Sequence, residues 1–216
     1  MALHVTSKRI TVAMAGLGNC AASFIEGLCF YRQHPAIDTG LLFPVLCGYG
    51  VRNIDVVAAF DIALTKVGFS VREAMYQPPN NFVRIQDLHV DGQARVFRGP
   101  TLDGNPEHLA PFVEESPLEA EDVVSILRDH HVDVLVNLLP TGSIQATQFY
   151  AQAPLEAHCA FINCIPTLVA QQIDIQARFT QQHLPLFGDD IKSQNQPKVL
   201  YRQYTHHDAA SEYVSV

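Results

Sequence analysis

The chain has 216 residues, of which 48% are hydrophobic and 17% charged, with a formal net charge of −8. That composition supports a buried core and excludes disorder throughout, and the length suits one α/β domain with a short appendage. The acidic balance and the lack of any basic run exclude a nucleic-acid surface, which needs clustered Lys and Arg to displace counterions from phosphates.

The five cysteines are Cys20, Cys29, Cys47, Cys159 and Cys164. They are odd in number and none pairs at CxxC spacing, so neither a disulfide framework nor a zinc site is expected, and a reducing cytoplasm is the expected compartment. The first residues carry no apolar segment ahead of a small-residue cleavage site, so no secretion signal is expected. Residues 12–30 are apolar enough to suggest a membrane span, but Gly16, Gly18, Asn19 and Glu26 interrupt them. A strand, a turn and a helix explain that stretch better, and no membrane partner is expected.

In chain order, residues 10–15 form a short β-branched apolar run ending at Gly16, a buried strand. Residues 19 to about 32 repeat Phe24, Leu28 and Tyr31 at helical spacing. An insertion at about 34–53 follows, with Pro35, Gly40, Pro44, Gly48 and Gly50. It exceeds an ordinary connection, which points to a functional or oligomeric role. Residues 56–60 form the next strand, ending at Asp61, and residues 78–104 are rich in Pro, Asn and Gly without a readable element. A helix is predicted over 120–130, a strand over 132–139, a helix from Ser143 to about 158 and a strand over 160–163. A helix over 174–182 and a strand over 185–187 complete the pattern. Strands alternating with helices imply βαβ units. The predicted class is α/β, a Rossmann-type doubly wound and mostly parallel sheet, over residues 1–194, with a tail at 195–216.

Gly16-Leu17-Gly18-Asn19-Cys20-Ala21 fits G-x-G-x-x-A between that first strand and helix. The first glycine allows the tight turn, the second lets backbone approach a pyrophosphate, and the small Ala21 lets helix and strand pack closely. The helix start then offers N–H groups to the anion. Asp61, at the end of the next strand, is placed to accept the adenosine ribose hydroxyls and to repel the extra phosphate of NADP, and no Arg follows it. NAD is therefore the predicted cofactor. The spacing from the glycines to Asp61 is about twice the usual ~20 residues, and the insertion accounts for the excess.

Pro140, Thr141, Gly142 and Ser143 occupy a second strand-to-helix edge, where an open parallel sheet collects ligands. Ser143 equally suits a helix cap. Asn163 ends the next strand, either at the same edge or as a turn former before Ile165-Pro166. Gly188-Asp189-Asp190-Ile191-Lys192 then brings two carboxylates and a lysine after the last strand, able to hold a sugar phosphate and move protons, or to form a solvated acidic turn.

Together, Gly16–Ser23, Val56–Asp61, Arg98–Gly104, Asp133–Ser143 and Gly188–Gln194 resemble, in family order, the compact prokaryotic myo-inositol-1-phosphate synthases, in their NAD-binding half. The resemblance implies conversion of glucose 6-phosphate to an inositol phosphate by internal oxidation, enolisation, aldol cyclisation and reduction, with NAD as cofactor. It implies catalytic roles for Lys192, Asp189 and Asp190, with Asp190 also near the cofactor. It further implies assembly as a homo-oligomer or with a partner subunit. After Gln194 the family pattern stops, and residues 195–216 match nothing in it, so weak or no turnover is expected from this chain alone. His206 and His207 are adjacent, and adjacent side chains converge poorly on a metal. A non-enzymatic NAD-binding module, or a shortened relative that assembles with a full-length subunit, is the alternative. A dehydrogenase of another substrate fits the Arg98–Gly104 and Gly188–Gln194 strings less well.

Overall fold

The computed structural model describes residues 6–85 and 94–190. Lys192 and the tail at 195–216 lie outside the described residues. In chain order the elements are β1 (Ile10–Ala15), α1 (Asn19–Gln33), β2 (Val45–Leu46), β3 (Tyr49–Gly50), β4 (Ile54–Asp61), α2 (Val71–Ala74), β5 (Arg95–Arg98), α3 (Val123–Asp129), β6 (Val134–Asn137), α4 (Ile144–Ala157), β7 (Ala160–Asn163), α5 (Ile173–Gln181) and β8 (Leu186–Phe187).

Six strands make one sheet in the order β5-β4-β1-β6-β7-β8, every neighbouring pair parallel. Strand order reverses between β1 and β6, the doubly wound arrangement of dinucleotide-binding sheets, whose crevice opens beyond the carboxyl ends of the strands at that switch point. The period of two along β1 divides the core. Val12 and Met14 pack with Ala21, Ala22 and Ile25 of α1 and Val71 of α2, whereas Ala13 and Ala15 pack with Leu127 of α3, Tyr150 of α4 and Phe179 of α5. The alanines keep the strand thin where α4 lies close, and Phe60 fills the space beside Tyr150 with ring centroids 5.8 Å apart.

The expected strand–turn–helix replaces any membrane reading of residues 12–30, and no helix among the described residues is long and apolar enough to cross a membrane. Besides the short β2–β3 ribbon, β5 and α2 escaped the sequence reading. β5 is four residues long with arginines at both ends, so it shows no apolar run, and α2 is a single turn set by a Ser70–Glu73 capping box. The predicted helix over 120–130 starts later, because Asp122 caps Ser125 N–H. The insertion at 34–53 holds the β2–β3 ribbon and exposes Leu42, Phe43 and Leu46. Its base is tied down by Asn53, whose amide donates to the carbonyls of Thr6 and Lys8.

Candidate functional site: a dinucleotide crevice

β1 delivers the chain to Gly16, which has φ of +90° and would place a Cβ 3.0 Å from the Leu138 carbonyl oxygen. Only glycine fits both constraints. Gly18 differs: its φ is −82°, and an added Cβ would meet nothing within 4 Å. That open space is where a ligand's phosphates would lie, and a side chain there would fill it. Gly18 is also the N-cap of α1, which has no side-chain cap bond and no acidic residue in its first turn. An uncapped helix start presents unclaimed N–H groups and a partial positive charge. Ala21 is fully buried against β1, the close packing that the third motif position requires. The residues present therefore fit a dinucleotide pyrophosphate.

Asn19 is exposed and pairs reciprocally with Asn81: its amide donates to Asn81 Oδ1, and Asn81 N–H donates to its Oδ1, both at 2.8 Å. The segment after Pro79, unreadable in sequence, thus lies over the glycine turn. Cys20 is half-buried. Burial, with an added contribution from Cys20, pushes the Cys164 thiol up to about 11, so it stays protonated at neutral pH.

Asp61 stands at the end of β4 as expected, but its carboxylate is already engaged. Oδ1 accepts from Ile62 and Ala63 N–H at 2.8 and 2.9 Å, and Oδ2 accepts from Leu17 N–H at 3.0 Å. Lys66 Nζ lies 3.5 Å from Oδ2, with the lysine side chain only 4% and the aspartate 10% exposed. No Arg follows Asp61, as expected, but a lysine that the sequence reading did not weigh stands against it. The signal was present in sequence as one lysine in the apolar stretch between Leu64 and Phe69.

At the second edge Pro140 is half-buried, and Thr141 and Gly142 are exposed. Ser143 does not cap α4 through its hydroxyl, which is buried without a hydrogen-bond partner. Asp103 performs that task from a distant loop: its carboxylate accepts from Gln145 and Ala146 N–H at 2.7 and 2.8 Å. Arg98, Thr101 and Glu115 brace the same loop. Sequence reasoning singled out the string around Asp103 but not its cap, because the partners are more than 40 residues apart.

Asn163 and Asp189 meet, but inside the protein. Asn163 Nδ2 donates to Asp189 Oδ1 at 2.6 Å and to the Thr167 carbonyl at 2.7 Å, and its Oδ1 accepts from Asn137 at 2.9 Å. Asp189 also accepts from Val169 and Ala170 N–H and is 4% exposed. In this arrangement the pair fixes the 164–170 loop instead of facing a crevice. Asp190 is half-buried, with φ of +59° and its N–H on the Ile165 carbonyl. Between these turns lies a groove of about 360 Å³ lined by Thr141, Gly142, Ile144, Pro166, Thr167, Leu168 and Gln172. None of these residues is charged.

No protein-family model matches the chain. Individual relatives do: it is 41% identical over 200 residues to an inositol-3-phosphate synthase of Corynebacterium glutamicum, covering 92% of this chain and 55% of that protein. An inositol-3-phosphate synthase of Mycolicibacterium smegmatis is 40% identical over 195 residues, covering 89% and 53%. Over these residues the chain is similar to the inositol-3-phosphate synthases. It spans about half the length of the curated relatives it matches. Among solved structures, Ari2 superposes with a TM-score of 0.77 at 30% identity, covering 92% of this chain and 59% of that one. A myo-inositol-1-phosphate synthase-related protein of Thermotoga maritima superposes with a TM-score of 0.65 at 23% identity, covering 84% and 55%, a likeness of fold. In this chain the glycine turn and Asp61 sit in the β5-β4-β1 half of the sheet, and the Asn163–Asp189 pair in the β6-β7-β8 half.

Proposed function

We propose that this chain is the NAD-holding part of an inositol-phosphate synthase that cyclises glucose 6-phosphate. The observation that carries this reading is the uncapped start of α1 over the open space at Gly18, in a chain similar to those synthases. Gly18 and the first N–H groups of α1 hold the pyrophosphate, and Asp61 accepts from the adenosine ribose at the one position its three amide bonds leave on Oδ2, which the ribose shares with the 3.5 Å contact of Lys66. When bound, NAD supplies the reversible oxidation that the cyclisation needs and that no side chain can supply. The uncharged groove beside Thr141 and Leu168 orients the sugar and limits water at the crevice. Its lining has no cation for a sugar phosphate, so that charge, and charge developing on oxygen during enolisation, is met by groups beyond this groove. By resemblance Lys192 is one of them, with Asp190 beside it.

Losing one oxyanion-stabilising group typically costs about 10²–10³ in rate. The chain by itself is therefore expected to bind NAD⁺ and to form little or no inositol phosphate. Calorimetry with NAD⁺ and NADP⁺ tests the binding, with NAD⁺ the tighter and Asp61→Ala narrowing the gap. Incubation with NAD⁺ and glucose 6-phosphate, followed by detection of inositol phosphate, tests the turnover. Absence of NAD⁺ binding would end the reading. Robust product formation, lost in Lys192→Ala, would show instead that the short chain suffices.

A further inference from the structure

Lys66 is the buried cation that the proposed binding scheme leaves unexplained. Its ammonium donates to the Leu17 carbonyl and to Asn80 Oδ1, each at 2.9 Å, and lies 3.5 Å from Asp61 Oδ2. Asn80 Nδ2 donates to the same Leu17 carbonyl at 3.0 Å and to the Met75 carbonyl at 2.9 Å. Burying an ammonium costs several kcal/mol unless it is paired and hydrogen-bonded, and the structure gives it three partners, two of which belong to the glycine turn and the strand end that face the ligand.

The peptide between Leu17 and Gly18 is consequently held on one side. In a trans peptide the C=O and the following N–H point in opposite directions. A Leu17 carbonyl fixed toward Lys66 and Asn80 aims the Gly18 N–H away from them. The preceding N–H, that of Leu17, is fixed by Asp61. Both peptides of the turn are thus set before a ligand arrives. The same ammonium also offsets the charge of Asp61, the group that would otherwise repel a phosphate on the ribose.

We propose that Lys66 is a positioning and specificity-determining residue for the dinucleotide: it aims the Gly18 N–H at the pyrophosphate and moderates the rejection of NADP by Asp61. The proposal rests on the reading that this chain binds NAD. Lys66→Met keeps most of the alkyl stem and removes the charge and all three donors.

Affinities for NAD⁺ and NADP⁺ are measured by calorimetry on wild type, Lys66→Met, Asp61→Asn and the double variant, alongside each protein's melting temperature. NADP⁺ is also titrated in competition against NAD⁺. NAD⁺ is expected to bind Lys66→Met about tenfold more weakly, the scale of one charged hydrogen bond, and NADP⁺ about a hundredfold more weakly. In the Asp61→Asn background, removing Lys66 should again weaken NADP⁺ more than NAD⁺, because the ammonium attracts the ribose phosphate whether or not Asp61 is charged. A purely structural lysine would lower the melting temperature and leave the NAD⁺/NADP⁺ ratio unchanged, which would overturn the proposal. So would a wild type that shows no competition by millimolar NADP⁺. Should Lys66→Met fail to fold, Asn80→Asp supplies the test, since a carboxylate beside Lys66 diverts its charge from Asp61 and should widen the ratio; an unchanged ratio overturns it. A wild type that binds neither cofactor would instead count against the NAD reading itself.

Discussion

The two halves of the sheet each bury an aspartate that accepts two or more backbone N–H bonds, yet they leave the adjoining backbone in opposite states. At the switch point, Asp61 and Lys66 brace the turn from behind, and the start of α1 in front of it carries no side-chain cap. In the other half of the sheet, Asp189 is enclosed by Asn163 and the 169–170 amides, and the start of α4, which follows β6, is already capped by Asp103. Helix starts leave N–H groups that some partner must satisfy. Where a carboxylate of the same chain supplies the partner, the turn is finished. Where none does and a glycine keeps the approach clear, an anion from outside completes it. The contrast separates an architectural turn from a receptive one.

The largest effect is expected in the closed half. Asn163→Ala removes the amide that joins Asn137, Asp189 and the Thr167 carbonyl, all in the interior. It leaves a buried carboxylate and a carbonyl short of donors, at a cost of about 3 kcal/mol. Chemical denaturation should report this as a lower midpoint at unchanged slope. NAD⁺ affinity of the folded fraction should stay near wild type. A loss of affinity with intact stability would place Asn163 at the cofactor after all.

The glycine turn offers a sharper division, because two glycines two residues apart should fail differently. Gly16→Ala places a Cβ on the Leu138 carbonyl at positive φ, so it should lower stability by about 1–3 kcal/mol. Gly18→Val meets open space at an ordinary φ, so the variant should fold. It should nevertheless bind NAD⁺ at least about a hundredfold more weakly, because the branched side chain occupies the phosphate position. Equal melting temperatures for wild type and Gly16→Ala, or unchanged affinity in Gly18→Val, would dissolve the distinction.

Much of this was legible in sequence, for reasons that differ by region. β1, β7 and the G-x-G-x-x-A turn announce themselves through apolar runs and local spacing, and the parallel order follows from alternation with helices. The family strings were legible as strings only. That Asp103 caps α4, and that Asn163 and Asp189 face inward, depends on contacts between residues 26 to 43 positions apart, which no local pattern encodes. Lys66 and Asn80 were missed for a related reason: each lies in a stretch that local chemistry describes as an apolar segment or a turn. What distinguishes them is a shared carbonyl, that of Leu17.

The smallest expected effect concerns the cap that closes the second edge. Burial raises the Asp103 carboxyl, but the N–H groups of Ala146, Gln145 and Ile144 outweigh it and hold the group below its ordinary range. A carboxylate with a depressed folded-state pKa contributes stability that is fully present above its unfolded value of about 3.9 and is lost as pH falls through the folded value. Asp103→Ala should therefore cost about 1–2 kcal/mol near neutral pH, the usual range for losing a helix cap. The deficit relative to wild type should shrink below about pH 4, where the wild-type carboxyl protonates and gives up the same bonds. Asp103→Asn keeps one acceptor oxygen for two amides and should fall between the two. Because α4 starts beside the groove at Gly142 and Ile144, the same variants report on what the cap leaves for a ligand. If NAD⁺ affinity survives in Asp103→Ala, the start of α4 is architectural and the start of α1 carries the anion. A Kd that rises in step with the lost cap would mean that both helix starts serve the dinucleotide, and the division between the two halves of the sheet would have to be withdrawn.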